Sequence, residues 1–249
     1  MTYCLAIPHY NHARLLAKLL PRLVEKSYFC IVVDDGSDKE QLSLLLETIE
    51  KYKNNVHLVS HTYNRGKGAA VITASYIART LGYSHLIQID ADGQHEINDI
   101  ETFINFSKTS PETIISGKPV FDESVPKIRL YGRKVTDFWV AIETLSFKIK
   151  DSLCGFRVYP LNSFEKLLDH FYIGARMDFD TDVLVKAVWL DIPIHFIDTK
   201  VIYPEDGVSH FNYLRDNKLL IKLHTRLMLG VLVRSPFLIA KRFQKLFGQ

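Results

Sequence analysis

The segment LIQIDAD, Leu86–Asp92, is a short apolar run that ends in two carboxylates one residue apart. Residues i and i+2 of an extended strand point to the same side, so the charges of Asp90 and Asp92 repel unless a cation lies between them. Oxygen ligands alone suit Mg²⁺ or Mn²⁺, which water and phosphate oxygens usually complete. A solvated turn at Asp92-Gly93 is an equally good explanation of the bare triplet. The neighbouring sequence must therefore decide between a metal site for a diphosphate and a turn.

The chain on both sides of this segment alternates apolar strands with segments of helical spacing. Strands are predicted at Tyr3–Ile7, Cys30–Val33, Val56–Ser60, Leu86–Ile89, Thr113–Ser116 and His195–Ile197. Helices are predicted at Leu15–Glu25, Gln41–Tyr52, Gly68–Leu81, near Val135–Phe147 and at Asp182–Trp189. This order predicts an α/β fold with a Rossmann-like, mostly parallel sheet flanked by helices. Ligands of such sheets bind at the edge where the carboxyl ends of the strands meet.

The composition is that of a globular protein, with 47% hydrophobic and 24% charged residues among 249. The three cysteines, Cys4, Cys30 and Cys154, have neither a CxxC spacing nor an even count. They indicate neither a disulfide framework nor a zinc site, and they favour a reducing cytosol. The first residues resemble a strand and lack a basic-then-apolar leader, so no secretory signal is expected.

Charge is distributed unevenly along the chain. Seven of the 31 cations and none of the 28 acids lie after residue 217, which leaves residues 1–217 with a net charge of −4. The apolar runs of this tail are each too short to span a bilayer. We expect residues 217–249 to form basic amphipathic helices that contact anionic membrane peripherally, with a helix packed over the sheet as the alternative. Nucleic acid is not an expected partner, because the body is acidic and lacks aromatic–basic platforms.

Two polar clusters follow the first two predicted strands. Pro8 is expected to end the first strand, and Asn11 to cap the following helix. Asp34 and Asp35 end the second strand, where a carboxylate can accept hydrogen bonds from a base or a ribose. A turn with an N-cap at Ser37 is the alternative.

Two more clusters flank the third predicted helix and the acidic pair. Asn64–Gly68, NRGKG, precedes the helix, and its glycines would let the backbone approach phosphates at a helix N-terminus. Arg65 and Lys67 add positive charge there. Gln94, just after the acidic pair, is a candidate third oxygen ligand.

Four motifs occur in this order along the chain: IPHYN, VDDGS, NRGKG and IDADGQH. With them the sequence resembles the inverting nucleotide-sugar glycosyltransferases of family two, which have the GT-A fold. The motifs are most similar to dolichyl- or polyprenyl-phosphate sugar synthases and to stand-alone bacterial members. The resemblance continues in Asp151–Arg157, DSLCGFR, with Cys154 where that subgroup has serine. Asp180-Thr181-Asp182 falls where the subgroup has Gln-x-Glu, and residues 207–210, GVSH, fall where it has Gly-x-Ser-Lys.

The resemblance implies a role for each matching position. The residues implied in nucleotide-sugar binding are Pro8, Tyr10, Asn11, Asp34, Asp35, Arg65, Lys67, Asp90 and Ala91. The residues implied in holding Mg²⁺ or Mn²⁺ are Asp90, Asp92, Gln94 and His210. Arg133 and Arg157 are implied in acceptor binding. A surface histidine without a ligand role is the alternative for His210, and a solvated basic helix face is the alternative for Arg133.

An inverting transfer to a hydroxyl needs a general base opposite the leaving group. Asp180 and Asp182 are the candidates, with Asp178 nearby. Acids at a helix start are also favoured by the macrodipole, which is a structural explanation for all three. An ionised phosphate acceptor would need no strong base.

The sequence thus predicts a GT-A domain over residues 1–216, with a nucleotide-binding half at 1–117 and an acceptor half at 118–216. The predicted enzyme is a metal-dependent inverting glycosyltransferase of the hexosyl or N-acetylhexosaminyl class. It would act on a hydroxyl or lipid-linked acceptor, a lipid or a glycan, at the cytoplasmic face of the cell membrane. A polyprenyl-phosphate sugar synthase and a non-catalytic nucleotide-binding module are the alternatives. A pyrophosphorylase is disfavoured, since Pro8–Asn11 stands where it would have a Gly-rich loop with lysine.

Overall fold

A seven-stranded sheet with helices on both faces forms the body of the chain. The computed structural model describes residues 1–121, 125, 127–201 and 213–247. The strands are β1 (Tyr3–His9), β2 (Cys30–Asp34), β3 (Val56–Ser60), β4 (His85–Gln88), β5 (Ile114–Val120), β6 (Arg157–Pro160) and β7 (Ile194–Lys200). The helices are α1 (Ala13–Glu25), α2 (Lys39–Glu50), α3 (Lys67–Thr80), α4 (Asp99–Thr109), α5 (Lys127–Glu143), α6 (Leu161–His170), α7 (Phe179–Trp189) and α8 (Tyr213–Phe247).

The strand order is β3-β2-β1-β4-β6-β5-β7. All pairs are parallel except those of β6, which runs antiparallel to both β4 and β5. The predicted α/β class with a mostly parallel sheet is therefore confirmed. The predicted boundary between residues 117 and 118 falls inside β5, and the one between 216 and 217 falls inside α8.

Side-chain alternation along β1 fills both faces of the sheet. Leu5 and Ile7 belong to the core cluster that contains Leu16 of α1. Cys4 and Ala6 belong to the opposite cluster, together with Ala74 of α3. All three cysteines are buried, and burial raises the pKa of Cys30 to about 12.

Two local predictions at the end of β1 were wrong. The strand continues through Pro8, which pairs with Val33, because a missing N–H removes a single ladder bond and the flanking residues still pair. Asn11 is not the helix cap. It adopts a positive φ of 54°, and its side-chain oxygen accepts a hydrogen bond from Asp38 N at 3.0 Å, while His12 occupies the cap position of α1.

Helix α8 also differs from the sequence prediction, since it joins the separate apolar runs into one helix. Its segment Asp216–Ala240 is long and apolar enough, by length and composition alone, to cross a membrane. One face nevertheless packs on the body through Leu223, Leu227 and Val231.

The opposite face of α8 leaves large apolar side chains exposed. They are Ile221, Leu229, Leu232, Val233, Phe237 and Ile239. The helix stays continuous through Pro236, and Ser235 Oγ donates a hydrogen bond to Leu232 O at 3.0 Å.

We predict that Gly68→Ala destabilises the protein although alanine favours helices. A Cβ at Gly68 would lie 2.6 Å from Phe179 Cβ and 2.7 Å from Gly174 O, so the contact between α3 and α7 must open. The expected loss is about 1–3 kcal/mol in the free energy of unfolding, measured by urea denaturation.

Gly132→Ala is the matched control, because Gly132 lies inside α5 and a Cβ added there would meet no other atom within 4 Å. The helix propensity of alanine should add up to about 1 kcal/mol of stability at this position. Equal effects of the two substitutions would contradict the close approach of α3 to α7.

Candidate active site

The ammonium of Lys67 lies between two carboxylates at the carboxyl edge of the sheet. Its Nζ is 2.9 Å from Asp90 Oδ1, just after β4, and 3.0 Å from Asp180 Oδ2, in the first turn of α7. Burial favours the neutral amine, but the two carboxylates outweigh it and raise the pKa of Lys67. Burial likewise opposes the charge of Asp90, yet Lys67 and His95 lower its pKa. The cluster therefore holds three formal charges in place, with one net negative charge.

Buried polar groups fix the orientation of Asp180. Gln88 Nε2 donates to Asp180 Oδ1 at 3.2 Å, and Tyr159 OH donates to Gln88 Oε1 at 3.1 Å. Arg157, with 0% of its surface exposed, donates to the Asp180 carbonyl at 2.7 Å and to Ser152 O at 2.9 Å. Arg157 thus positions α7 and does not reach an acceptor, which corrects its predicted role. Gln88 and Tyr159 were missed, although a glutamine inside an apolar strand was a usable signal.

The loop DSLCGFR closes over this cluster from the side of β6. A Cβ on Gly155 would lie 2.5 Å from Lys67 Nζ and 2.8 Å from Asp90 Oδ2, so only glycine allows this approach. Cys154 next to it is buried, and burial raises its pKa to about 12. A neutral thiol therefore stands where the resembling subgroup has serine.

Asp92 lies beside Asp90 in an unfavourable electrostatic environment. Burial and the charge of Asp90 raise the pKa of Asp92, whose Oδ1 accepts a hydrogen bond from Gln94 N at 3.0 Å. Asp90 Oδ1 accepts no hydrogen bond of normal geometry, and the buried His95 Nδ1 has no partner among the described residues. Two adjacent carboxylates fit one divalent cation that takes further oxygens from water and phosphate.

The protein alone does not supply a complete metal cage within the part of the chain that the structure describes. No group of three or more His, Cys, Asp or Glu side chains there could hold a metal ion. Mg²⁺ is usually bound by one or two carboxylates plus substrate phosphates, so a complete protein cage is not a requirement for such an ion. Gln94 as a third ligand stays a prediction, and His210 lies outside the described residues.

Asp34 and Asp35 are both engaged by protein donors. Asp34 Oδ1 lies 2.9 Å from His9 Nδ1 and accepts a hydrogen bond from Ser37 Oγ at 2.5 Å. Burial alone would raise the pKa of Asp34, but the hydrogen bonds with His9 and Ser37 outweigh it and lower the pKa. The predicted contact of the two acids with the base or ribose stays a prediction, since nothing in the described residues tests it.

Asp35 holds the loop NRGKG in place. It accepts hydrogen bonds from Arg65 N at 2.9 Å and Gly66 N at 2.7 Å, and His61 Nδ1 lies 2.7 Å from Oδ1. Gly66 has φ +107°, and a Cβ there would lie 2.4 Å from Ala175 O. Arg65 is exposed at this edge of the sheet, where an anionic ligand can reach it.

Arg176 was not foreseen and connects the same loop to the start of α7. It donates to Asn64 Oδ1 at 2.7 Å and to Asn64 O at 2.9 Å. The loop before α7 and the loop before α3 thus form one wall of the site. No motif signalled Arg176, because its role depends on contact across more than a hundred residues.

The remaining predicted residues differ in burial and in their contacts. Pro8 and Tyr10 are half-buried, and Ala91 is buried beside the acidic pair. Arg133 on α5 pairs with Asp151 and lies 5.0 Å over the Phe121 ring. Their predicted contacts with donor and acceptor stay predictions.

Asp182 does not belong to the site, which corrects its prediction as a catalytic base. Residues i and i+2 of a helix point to nearly opposite sides, so Asp182 faces away from Asp180. It is fully buried, with Lys186 Nζ at 2.5 Å and Arg226 of α8 at 2.7 Å. Burial raises the pKa of Asp182 and lowers that of Lys186, so this ion pair within α7 is costly to bury. The contact of Asp182 with Arg226 joins α7 to α8.

The chain matches the family model described as glycosyl transferase family 2 over residues 4–168. It is 28% identical over 200 residues to the dolichyl-phosphate beta-glucosyltransferase ALG5D of Trichomonas vaginalis, covering 73% of this chain and 60% of that one. It is 29% identical over 208 residues to the dolichyl-phosphate beta-glucosyltransferase of Dictyostelium discoideum, covering 76% and 62%. The chain therefore spans less than two thirds of the length of these curated relatives.

The fold is that of solved GT-A enzymes. One of them is the mannosyltransferase PcManGT of Pyrobaculum calidifontis, whose structure contains GDP-Man and Mn²⁺. The TM-score is 0.56 at 18% identity, covering 83% of this chain and 58% of that one. The predicted GT-A fold is thus confirmed.

We predict that Asp182→Ala destabilises the protein by about 3–5 kcal/mol. The substitution removes the carboxylate that contacts both the buried Lys186 and Arg226. The measurement is the free energy of unfolding from urea denaturation followed by circular dichroism.

Asp198→Ala is the control, since it removes a carboxylate paired with Lys118 on the surface, where the side chains are 64% and 47% exposed. Its expected cost is about 0–1 kcal/mol. A loss at Asp182 no larger than this control would contradict its role in holding α8.

Proposed function

We infer the function from the membership of this chain in glycosyl transferase family 2. We propose that it transfers a sugar from a nucleoside diphosphate to the phosphate of a membrane lipid carrier. The observation that carries this proposal is the Lys67–Asp90–Asp180 cluster at the edge of the sheet where ligands bind. It places the Lys67 ammonium and, next to Asp90, the second carboxylate of Asp92 beside a glycine-containing helix start, where a divalent cation would offset the negative charge and let a diphosphate bind.

The donor end of the proposed site consists of the loops after β1, β2, β3 and β4. Exposed Arg65 and half-buried Lys67 supply positive charge for the diphosphate. A cation held by Asp90, Asp92 and Gln94 would supply Lewis-acid stabilisation of the departing nucleoside diphosphate. The presence of GDP-Man and Mn²⁺ in a solved neighbour supports this interpretation.

The acceptor is inferred from how Asp180 is held. One of its oxygens is paired with Lys67 and the other accepts from Gln88, so only the remaining lone pairs of this carboxylate could take a proton from a hydroxyl. A phosphate is already ionised at neutral pH and needs no base. In an inverting transfer, a phosphate oxygen would attack the anomeric carbon as the bond to the diphosphate breaks. The dolichyl-phosphate activity named for the relatives supports a lipid phosphate acceptor.

The location is inferred from α8. Its exposed apolar face and its lack of acids after Asp216 suit a membrane with anionic lipid. The buried contacts of Arg226 with Asp182 and of His224 with Glu143, at 2.7 and 2.8 Å, tie the helix along the domain. We therefore favour peripheral contact with the cytoplasmic face of the membrane over a helix that crosses it.

We predict that the protein, with Mn²⁺, transfers labelled sugar to polyprenyl phosphate but not to the matched polyprenol. UDP-glucose, UDP-N-acetylglucosamine and GDP-mannose are the donors to compare, and label in the lipid phase is the measurement. Asp92→Ala should abolish transfer and also the rise in melting temperature that nucleotide and Mn²⁺ together produce by mass action.

Glu47→Ala, an exposed acid on α2, is the control and should leave both readouts unchanged. Transfer to polyprenol but not to polyprenyl phosphate would refute the proposed acceptor. A wild-type protein that binds nucleotide without cleaving any donor would be a binding module and would refute the enzyme.

We further predict that the double variant Val233→Ser, Phe237→Ser loses binding to vesicles that contain anionic phospholipid. Both side chains are exposed, 80% and 62%, and each apolar side chain that enters the membrane is worth about 1–2 kcal/mol. Vesicle flotation should show a loss of about tenfold or more.

The control is Leu46→Ser with Tyr76→Ser, which removes exposed apolar side chains from α2 and α3. Binding should be retained there. Undiminished binding of the α8 variant would refute its contact with the membrane.

A further inference from the structure

A cavity of about 230 Å³ lies between α7 and α8, on the side of α7 that faces away from the Lys67 cluster. We call it the α7–α8 pocket. Its lining combines three cations with three aromatic rings, a pairing that suits an anion. These residues are Phe171, Tyr172, Lys186, Trp189, Arg226 and Arg234.

The pocket carries excess positive charge. Lys186 and Arg226 share the single carboxylate of Asp182, at 2.5 and 2.7 Å. The Nε atom of Arg226 is buried without a hydrogen-bond partner among the described residues, while its guanidinium lies 5.1 Å over the Tyr172 ring. Two cations that share one carboxylate in direct contact, together with the unused donor of Arg226, suit a bound anion.

Arg234 is held by rings and has no acidic partner in the described part of the chain. Its guanidinium lies 5.2 Å from the centre of Phe171 and 4.8 Å from that of Trp189. Its hydrogen bond within its own helix is to Gly230 O, at 3.4 Å. Among the residues that the structure describes, no carboxylate pairs with it. The two rings contact the guanidinium, one of whose Nη atoms makes the bond to Gly230 O, and its remaining N–H donors suit a bidentate contact with phosphate oxygens.

The position of the pocket on α8 indicates where the anion comes from. Arg226, Gly230 and Arg234 are four residues apart, so they share one face of the helix. Leu229 and Val233 each precede a member of this row by one position, and with Phe237 they form the neighbouring, exposed apolar face. An anion bound in the pocket would therefore lie next to apolar side chains that suit lipid tails.

We propose that the α7–α8 pocket binds the phosphate of an anionic membrane phospholipid. This site is distinct from the catalytic cluster, because Asp180 and Asp182 lie on opposite sides of α7. The proposal rests on the proposed function only in placing α8 at a membrane. Binding here would dock the exposed face of α8 in a fixed orientation, with the phosphate taken by Arg226 and Arg234.

Vesicle flotation tests the proposal with two variants that each remove one cation from α8. The vesicles contain phosphatidylcholine with or without phosphatidylglycerol. Arg234→Gln should lower the affinity for the anionic vesicles by more than about tenfold, because it removes charge-assisted hydrogen bonds. Lys222→Gln, at an exposed position outside the pocket, should lower it by about fivefold or less, since screened surface charge alone acts there. Equal losses of vesicle affinity in the two variants would overturn the proposed phosphate site, because surface charge alone would then explain the binding.

Circular dichroism must show that Arg234→Gln is folded, since stacking on Trp189 is lost. If it is not, Arg234→Lys takes its place, because the ammonium can remain over the rings. This variant loses no charge but loses the two-pronged geometry. It should still lower affinity more than Lys222→Gln does, and a smaller loss would overturn the proposal.

Inorganic phosphate distinguishes the two sources of the anion. At ionic strength matched with chloride, phosphate should not stabilise the wild-type protein against heat in the absence of vesicles. One outcome would overturn the lipid proposal and assign the pocket to a free anion. In that outcome phosphate stabilises the wild-type protein but not Arg234→Gln, and the two proteins bind vesicles equally well. Donor cleavage by the wild-type protein without vesicles reports on the proposed function separately.

Discussion

The ion cluster of Lys67 with Asp90 and Asp180 is the interaction on which the arrangement of the site depends. The three residues come from α3, from the end of β4 and from α7, so one ammonium holds together elements from both halves of the chain. Two carboxylates at this spacing would repel each other in a partly buried place. The lysine compensates them, and the glycine at position 155 lets a loop backbone close over the cluster.

Helix α7 links this cluster to the C-terminal helix. Asp180 faces the sheet edge, and Asp182 faces Lys186 and Arg226. Both carboxylates are buried and both have cationic partners from distant parts of the chain. The same helix therefore sets the geometry of the proposed catalytic site on one side and the orientation of the proposed membrane contact on the other.

The sequence predicted the frame of the fold because the strands and α3 have simple local signals. Apolar runs and turn residues located β1 to β4 within a residue or two at most ends, and the acidic and glycine motifs fell on one edge as the parallel topology requires. It did not predict β6, whose four residues include a buried arginine and a proline. It also did not separate Asp180 from Asp182, since the phase of α7 is set by packing against α3 and α8. Arg157 was misassigned for a similar reason, because an arginine satisfied by carbonyl oxygens has no sequence signature.

Pro236 has a consequence for how α8 can be solvated. A proline inside a helix leaves the carbonyl four residues earlier without its usual N–H partner, and here that carbonyl belongs to Leu232 on the exposed face. In hydrocarbon such a bare oxygen would cost several kcal/mol, whereas water would satisfy it freely. The hydroxyl of Ser235 takes the place of the missing N–H. The Leu232 carbonyl is therefore hydrogen-bonded within the helix, and it would not be left unsatisfied if this face of α8 contacted lipid.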